Sequence, residues 1–90
     1  MTTEAAIQRA FVRAVKKAGG WPIKLKGPRG WPDYLVLWKE SWAEMVELKR
    51  PGGRLRYSQE RMHDKLNEHG MATFTISTRE EIAAYVEGER

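Results

Sequence analysis

The feature that most restricts the fold of this chain is a pair of strand-like runs joined by a short polar segment. The first run is YLVLW, residues 34–38, the second is AEMVELK, residues 43–49, and KES lies between them. Apolar, β-branched and aromatic runs with such a connection predict an antiparallel β-hairpin. With the middle residue of KES at the centre of the turn, Trp38 faces Trp42 across the hairpin.

The same register brings two acids together. Leu35 faces Met45, and Asp33 then falls opposite Glu47 with their Cβ atoms about 5 Å apart. Because side chains alternate along a strand, Lys49 projects from the same face as Glu47. Like charges placed opposite each other destabilise a sheet unless a cation lies between them. The hairpin therefore predicts a site for Mg²⁺ or Mn²⁺, hard cations that bind carboxylate and phosphate oxygens.

Such a site favours hydrolysis of a phosphodiester, since a divalent cation polarises the phosphoryl group and lowers the pKa of its bound water. Lys49 is placed to orient that water and to offset charge in the transition state. Two simpler interpretations stay open. Lys49 can form an ordinary salt bridge with Glu47, and a slip of one residue in the turn would separate Asp33 from Glu47.

Two helical residues are further candidates for the site. Glu4 lies one turn before Ile7 on the inward stripe of a first helix, although an acid there can also simply complement the helix dipole. Gln59 begins the inward stripe of a second helix, where its amide can hold a water or phosphate oxygen or can be solvated. His63 and His69 are interpreted as a packing residue and an end-of-helix residue.

Caps and periodicity predict the other elements. Thr3 caps the first helix and Gly19-Gly20 ends it, and WPIKLK at 21–26 forms a strand. Ser58 caps the second helix, which closes at Gly70. MATFTIS, residues 71–77, is a strand, and Thr78 with Glu81 forms a capping box that opens a last helix. The order αβββαβα predicts a mixed α/β fold with a helix-covered sheet, in one domain spanning residues 1–90.

The charge balance favours a polyanionic partner. Lys and Arg number 16 against 12 Asp and Glu, a formal charge of +4. Six basic residues flank the acids and are predicted to contact the phosphates of such a partner: Lys24, Lys26, Arg29, Arg50, Arg54 and Arg56. Cysteine is absent, which excludes disulfides and thiolate metal sites. No signal peptide and no apolar run long enough to span a bilayer are found, so an intracellular, cytoplasmic protein is expected.

Four segments together resemble the VRR-NUC family of the PD-(D/E)XK nuclease superfamily. They are the early helical Glu4, GWPD at 30–33, VELKRPGGRL at 46–55 and SQERMHDKLNEHG at 58–70. A Pro-Asp followed by Glu-X-Lys is common by chance, whereas the added glycine-rich loop and glutamine helix make the combination specific. One departure is Trp31 before the Pro-Asp, where the family often has a small or aliphatic residue.

The resemblance implies a restriction-endonuclease-like core and a divalent cation, Mg²⁺ or Mn²⁺, bound by Asp33, Glu47 and the backbone carbonyl of Leu48. It implies a catalytic role for Lys49, with Glu4 and Gln59 completing the site. It also implies a DNA substrate and no nucleotide cofactor. Stand-alone members, common in bacteriophages, resemble homodimeric endonucleases that act on branched DNA such as four-way junctions.

A homodimer is also expected on physical grounds, because symmetric cutting of two strands needs two active sites. In addition, the 4 tryptophans exceed what so small a core readily buries. Two other functions stay open. A degenerate nuclease fold could serve as a non-catalytic, structure-specific DNA-binding module, and a small basic protein could associate with RNA or the ribosome. The second of these explains the charge but not the paired acids.

Overall fold

The computed structural model of the protein describes residues 2–40 and 42–88. Its elements follow the predicted order and are α1 (Glu4–Lys17), β1 (Trp21–Lys24), β2 (Tyr34–Trp38), β3 (Trp42–Leu48), α2 (Tyr57–Glu68), β4 (Thr73–Ile76) and α3 (Arg79–Gly88). The predicted mixed α/β fold is therefore confirmed. Ser41, the last residue of the predicted turn, lies outside the described residues.

The register of the hairpin is confirmed. Trp38 pairs with Trp42, and Leu35 with Met45. Glu40, at the centre of the turn, has a φ of 69°, in the left-handed region that tight connections use. The strand predicted over residues 21–26 is shorter than expected, because its pairing with β2 ends at Lys24.

The four strands lie in the order β1-β2-β3-β4. The first three are antiparallel neighbours, whereas β3 and β4 run parallel. A parallel pair cannot be joined by a tight turn and needs a crossover connection. α2 lies in that connection, and β3 is hydrogen-bonded to a strand on each side.

The hydrophobic core lies on one face of the sheet. β2 and β3 contribute the alternate residues Tyr34, Val36, Trp38, Val46 and Leu48, and α1 and α3 contribute Ile7, Phe11, Val15, Ile82, Tyr85 and Val86. The odd-numbered residues of β2 and β3, including Glu47, belong to the opposite face by alternation, as does Asp33, which directly precedes β2. α2 buries Gln59 and His63 on that second face.

One buried acid belongs to the core rather than to the site. Glu44 Oε1 accepts hydrogen bonds from the Tyr85 hydroxyl at 2.8 Å and from Trp38 Nε1 at 3.1 Å. Since a buried carboxylate without partners would be costly, these two donors allow an acid on the core face of β3. They also tie α3 to the central strands.

Two of the predicted helix starts are confirmed and one is wrong. Thr3 Oγ1 accepts from Ala6 N at 3.1 Å, and Thr78 and Glu81 form the reciprocal bonds of a capping box. Ser58, in contrast, does not cap α2, which starts at Tyr57 with Arg56 as the N-cap residue. The Gln59 side chain, at the third helical position, reaches back to accept a hydrogen bond from Arg56 N at 2.8 Å.

The loop before β2 packs directly on the start of α2. Gly30 has a φ of 93°, and a Cβ at this position would lie 2.6 Å from the carbonyl oxygen of Ser58. A side chain here would be strained by the backbone conformation and would also displace α2. Glycine at this position therefore allows the GWPD loop and α2 to meet beside the hairpin.

Candidate active site

Asp33 is held by the backbone of its two neighbouring strands. Its carbonyl oxygen accepts from Leu25 N at 2.8 Å, just beyond β1. Its carboxylate Oδ2 accepts from Leu48 N at 2.7 Å, at the end of β3. One carboxylate oxygen of Asp33 is thus fixed to the end of β3.

Glu47 is the most buried acid of the site, with only 2% of its surface exposed. Its Oε2 accepts a hydrogen bond from Gln59 Nε2 at 3.2 Å. Its Oε1 is buried and has no hydrogen-bond partner among the described residues. An unpartnered carboxylate oxygen inside a protein is costly, and a bound cation would satisfy it.

Asp33 lies close enough to Glu47 to change its protonation. The pKa of Glu47 is raised to about 8, chiefly by burial and then by the negative charge of Asp33 and a hydrogen bond between the two carboxyl groups. Lys49, which is half-buried, acts in the opposite direction and lowers this pKa. The structure thus brings together Asp33, Glu47 and Lys49, as the hairpin register predicted.

Glu4 does not lie where the helical pattern placed it. It is the first residue of α1 and is exposed, and the buried stripe of that helix begins only at Ile7. The expectation of an inward-facing acid is therefore wrong, because the first turn of α1 extends beyond the core. Its charge still acts on Glu47, as the last of the causes that raise the pKa of that carboxyl group.

Gln59 lies in the site, but it does not face solvent or a phosphate. Because Arg56 N can only donate, it must face the amide oxygen of Gln59, and the amide nitrogen is then directed at Glu47. The side chain is buried. Gln59 therefore contacts a carboxylate oxygen of Glu47.

His63 is the site residue that the sequence interpretation missed. It is 7% exposed, as expected of a packing residue, but its Nε2 lies 3.5 Å from Glu47 Oε1. Burial lowers its pKa, so the imidazole is neutral near pH 7. The sequence feature that could have identified His63 is its position four residues after Gln59, which places both side chains on one face of α2.

The donor set fits a hard cation that keeps much of its hydration shell. Within residues 2–40 and 42–88, no three His, Cys, Asp or Glu side chains form a group that could hold a metal ion by themselves. Mg²⁺ commonly binds through one or two carboxylates and completes its shell with water and substrate phosphate. Asp33 and Glu47 provide that number, and the peptide of Leu48 lies against Asp33.

The six predicted DNA-binding residues are all exposed, but they are not all on the same side of the sheet. Lys24 Nζ donates to Gln8 of α1 at 3.2 Å and lies 5.6 Å from the centre of the Tyr34 ring. It therefore belongs to the α1 side, away from Glu47. Arg50, Arg54 and Arg56 lie in the connection from β3 to α2, directly after Lys49.

An aromatic side chain beside this basic segment was not anticipated. Tyr57, at the start of α2, is 72% exposed. Arg61 donates to its hydroxyl at 3.0 Å and stacks over its ring at 5.8 Å. An exposed aromatic ring next to arginines is a surface on which a nucleic-acid base can stack.

The comparisons with known proteins identify the family of this chain. The family model of the VRR-NUC domain matches residues 3–79. The chain belongs to the VRR-NUC family. The matched range contains the paired acids, Lys49 and the part of α2 that carries Gln59 and His63. Family membership makes this a nuclease-type domain with a DNA-related function.

A solved structure described as a VRR_NUC domain supports the same fold. It superimposes with a TM-score of 0.85 over 99% of this chain and 100% of the other, at 20% sequence identity. No curated protein sequence matches this VRR-NUC chain.

Among the residues that the structure describes, no helix is long and apolar enough to cross a membrane.

Proposed function

We propose that this VRR-NUC chain is a divalent-cation-dependent DNA endonuclease. The observation that carries the proposal is the convergence of Asp33 and Glu47, with Lys49 beside them, at one end of the sheet. The buried, unpartnered Oε1 of Glu47 supports a cation at this position. Asp33, Glu47 and the Leu48 carbonyl would hold Mg²⁺ or Mn²⁺.

When bound, the cation supplies Lewis-acid polarisation of the phosphoryl group and lowers the pKa of a water molecule. The other functions belong to side chains of the protein. Asp33 and Glu47 provide the negative charge that retains the cation. Lys49 holds a positive charge beside Glu47, where it can orient the attacking water and stabilise the charge that develops on the phosphate.

The surface next to the site is suited to a DNA backbone. Arg50, Arg54 and Arg56 follow Lys49 directly, and all three are exposed. Arginines in this position bind phosphates and thereby place a phosphodiester beside the paired acids. Lys26 and Arg29 are exposed in the loop that precedes Asp33, whereas Lys24 lies on the other side of the sheet.

The decisive experiment incubates the purified protein with linear, flapped and four-way-junction DNA, each with Mg²⁺ and with EDTA. We expect cation-dependent cutting, with the junction as the preferred substrate. Glu47→Gln and Lys49→Met should abolish cutting and retain DNA binding. Glu80→Gln, at an exposed position on α3, serves as the control and should cut as the parent does. Unchanged cutting by either site variant would refute the assigned roles, and binding without any cutting would support a non-catalytic binding module.

A pair of arginine variants separates phosphate binding at the proposed DNA surface from a general effect of positive charge. Each phosphate contact contributes to a salt-dependent affinity for DNA. Arg54→Ala should weaken binding and reduce its dependence on salt. Arg13→Ala removes an equal charge from an exposed position on α1 and should have a smaller effect. Equal losses for the two variants would contradict a localised DNA surface.

We also propose that the enzyme acts as a homodimer. Trp21, on the edge strand β1, is 64% exposed and pairs with Leu37, so it lies on the same sheet face as Glu47. Ile23 and Leu35 on that face are only half-buried. An apolar surface of this kind fits a second copy of the chain.

Analytical ultracentrifugation tests this surface with a matched pair of tryptophans. Trp42 is 58% exposed but pairs with Trp38 on the core side of the sheet. Trp21→Glu should convert the dimer to a monomer, and Trp42→Glu should leave the dimer intact. A parent protein that sediments as a monomer would refute the dimer, and a dimeric Trp21→Glu variant would refute the assigned surface.

A further inference from the structure

We infer that Gln59 and His63 form a clamp on α2 that fixes the carboxylate of Glu47 for cation binding. This inference rests on the proposed cation-dependent function. Both are positioning residues, because they act on the ligand Glu47 rather than on the cation or the DNA. The clamp assigns a function to His63 and gives Gln59 a role different from holding water or phosphate.

The two residues address different oxygens of the same carboxylate. Gln59 Nε2 donates to Oε2 at 3.2 Å, and His63 Nε2 lies 3.5 Å from Oε1. They are four positions apart on α2, which places them one turn apart on a single face. A carboxylate would otherwise rotate about its last torsion angle, for which the preference is broad. Contacts on both oxygens restrict that rotation.

The Nε2 atom of His63 lies beside the carboxylate of Glu47. This nitrogen is buried and has no hydrogen-bond partner within the described residues, and the same is true of Glu47 Oε1. A buried polar atom without a partner destabilises the folded protein. These two atoms face each other, and an approach of a few tenths of an ångström from 3.5 Å would make the hydrogen bond.

The clamp still leaves room for a cation. A carboxylate presents about four lone-pair directions on its two oxygens, so one hydrogen bond to each oxygen leaves a free lone pair on both. Partners of this kind, which hold a ligand side chain from behind, typically contribute about 10-fold to 100-fold to metal affinity. An oriented Glu47 is therefore a better ligand than a freely rotating one.

The clamp is also connected to the basic segment. The amide oxygen of Gln59 accepts from Arg56 N at 2.8 Å, so the same side chain contacts the N-cap of α2 and the carboxylate of Glu47. A displacement of the backbone at Arg56 would move the amide and thus its bond to Glu47. Through Gln59, the backbone beside the proposed DNA-binding arginines is linked to the cation ligand.

Isothermal titration calorimetry with Mn²⁺, using the full-length chain, tests the clamp without measuring cleavage. His63→Leu fills the buried position with an apolar side chain of good helix propensity and removes the donor, whereas His63→Gln retains a nitrogen donor at the end of the side chain. We expect His63→Leu to weaken Mn²⁺ binding about tenfold and His63→Gln to stay within about threefold of the parent. Thermal melting in EDTA identifies any loss of folding.

The outcomes separate the clamp from the function on which it rests. If the parent shows no Mn²⁺ binding, or if Asp33→Ala binds as the parent does, the cation site itself is refuted and the clamp with it. If the parent binds and His63→Leu binds equally tightly, only the clamp is overturned. If His63→Leu does not fold, Gln59→Met provides the same test on Oε2, with the same expected loss and the same refuting result.

Discussion

Replacing Glu47 by glutamine should stabilise the cation-free protein, and the gain should grow with pH. Its pKa is raised from 4.5 to about 8. The protonated carboxyl group of Glu47 therefore makes its full contribution to stability below about pH 4.5. That contribution is lost as the pH rises through 8, because the buried group then ionises. Each pKa unit corresponds to about 1.4 kcal/mol, so the loss is as much as about 5 kcal/mol. A domain of this size has a total stability of about 5–13 kcal/mol, so the effect is large.

Glutamine matches the protonated acid in shape and cannot ionise. Its oxygen can accept from Gln59, so that hydrogen bond is kept. Urea denaturation in EDTA, at about pH 5 and about pH 9, measures the effect. We expect Glu47→Gln and the parent to be similar at the lower pH and to differ by several kcal/mol at the higher one.

Asp33→Asn provides a graded control. It removes the second cause of the raised pKa of Glu47 and keeps an oxygen that can accept from Leu48 N. Burial, the largest cause, remains. The pH dependence of stability should therefore be smaller than in the parent and larger than in Glu47→Gln. A stability difference between parent and Glu47→Gln that does not change with pH would refute this account of the site.

Three further results are expected. Because the cation binds the ionised acid, the apparent affinity for Mg²⁺ should fall up to about tenfold per pH unit below pH 8 and level off above it, as measured by calorimetry, and a flat profile would contradict the raised pKa of Glu47. Tyr85→Phe should cost about 1–3 kcal/mol in urea denaturation, since it removes a donor from buried Glu44, and an unchanged midpoint would contradict that role. Gly30→Ala should lower the melting temperature more than Gly70→Ala, because both have positive φ but only Gly30 faces backbone, and equal losses would show that packing on α2 is unimportant.

The hairpin could be predicted from sequence because the information is local. Alternation in β2 and β3 defines the two faces, and the short connection around Glu40 fixes the register. The approach of Asp33 to Glu47 and Lys49 follows from that register without any knowledge of the helices. The capping box at Thr78 and Glu81 was equally local and was confirmed.

The errors arose where packing between distant elements decides. His63 appeared to be only a packing residue, because nothing near it in sequence indicates that α2 crosses over Glu47. Ser58 is a good capping residue, but the Gln59 side chain satisfies Arg56 N and the helix begins earlier. Glu4 follows the helical period of α1, yet its turn of the helix extends past the core. Helical periodicity defines a face but does not show where the covered part of that face ends.

The position of β3 within the sheet has a consequence for how the site withstands fluctuation. This strand carries Glu47 and is bonded to β2 on one side and β4 on the other, so its amides cannot exchange with solvent by fraying of an edge. The backbone beneath the paired acids is thus expected to open only when the whole domain does. Substitutions of side chains at the site, whether natural or designed, are therefore expected to leave the β3 backbone in place, because that backbone is as stable as the whole fold.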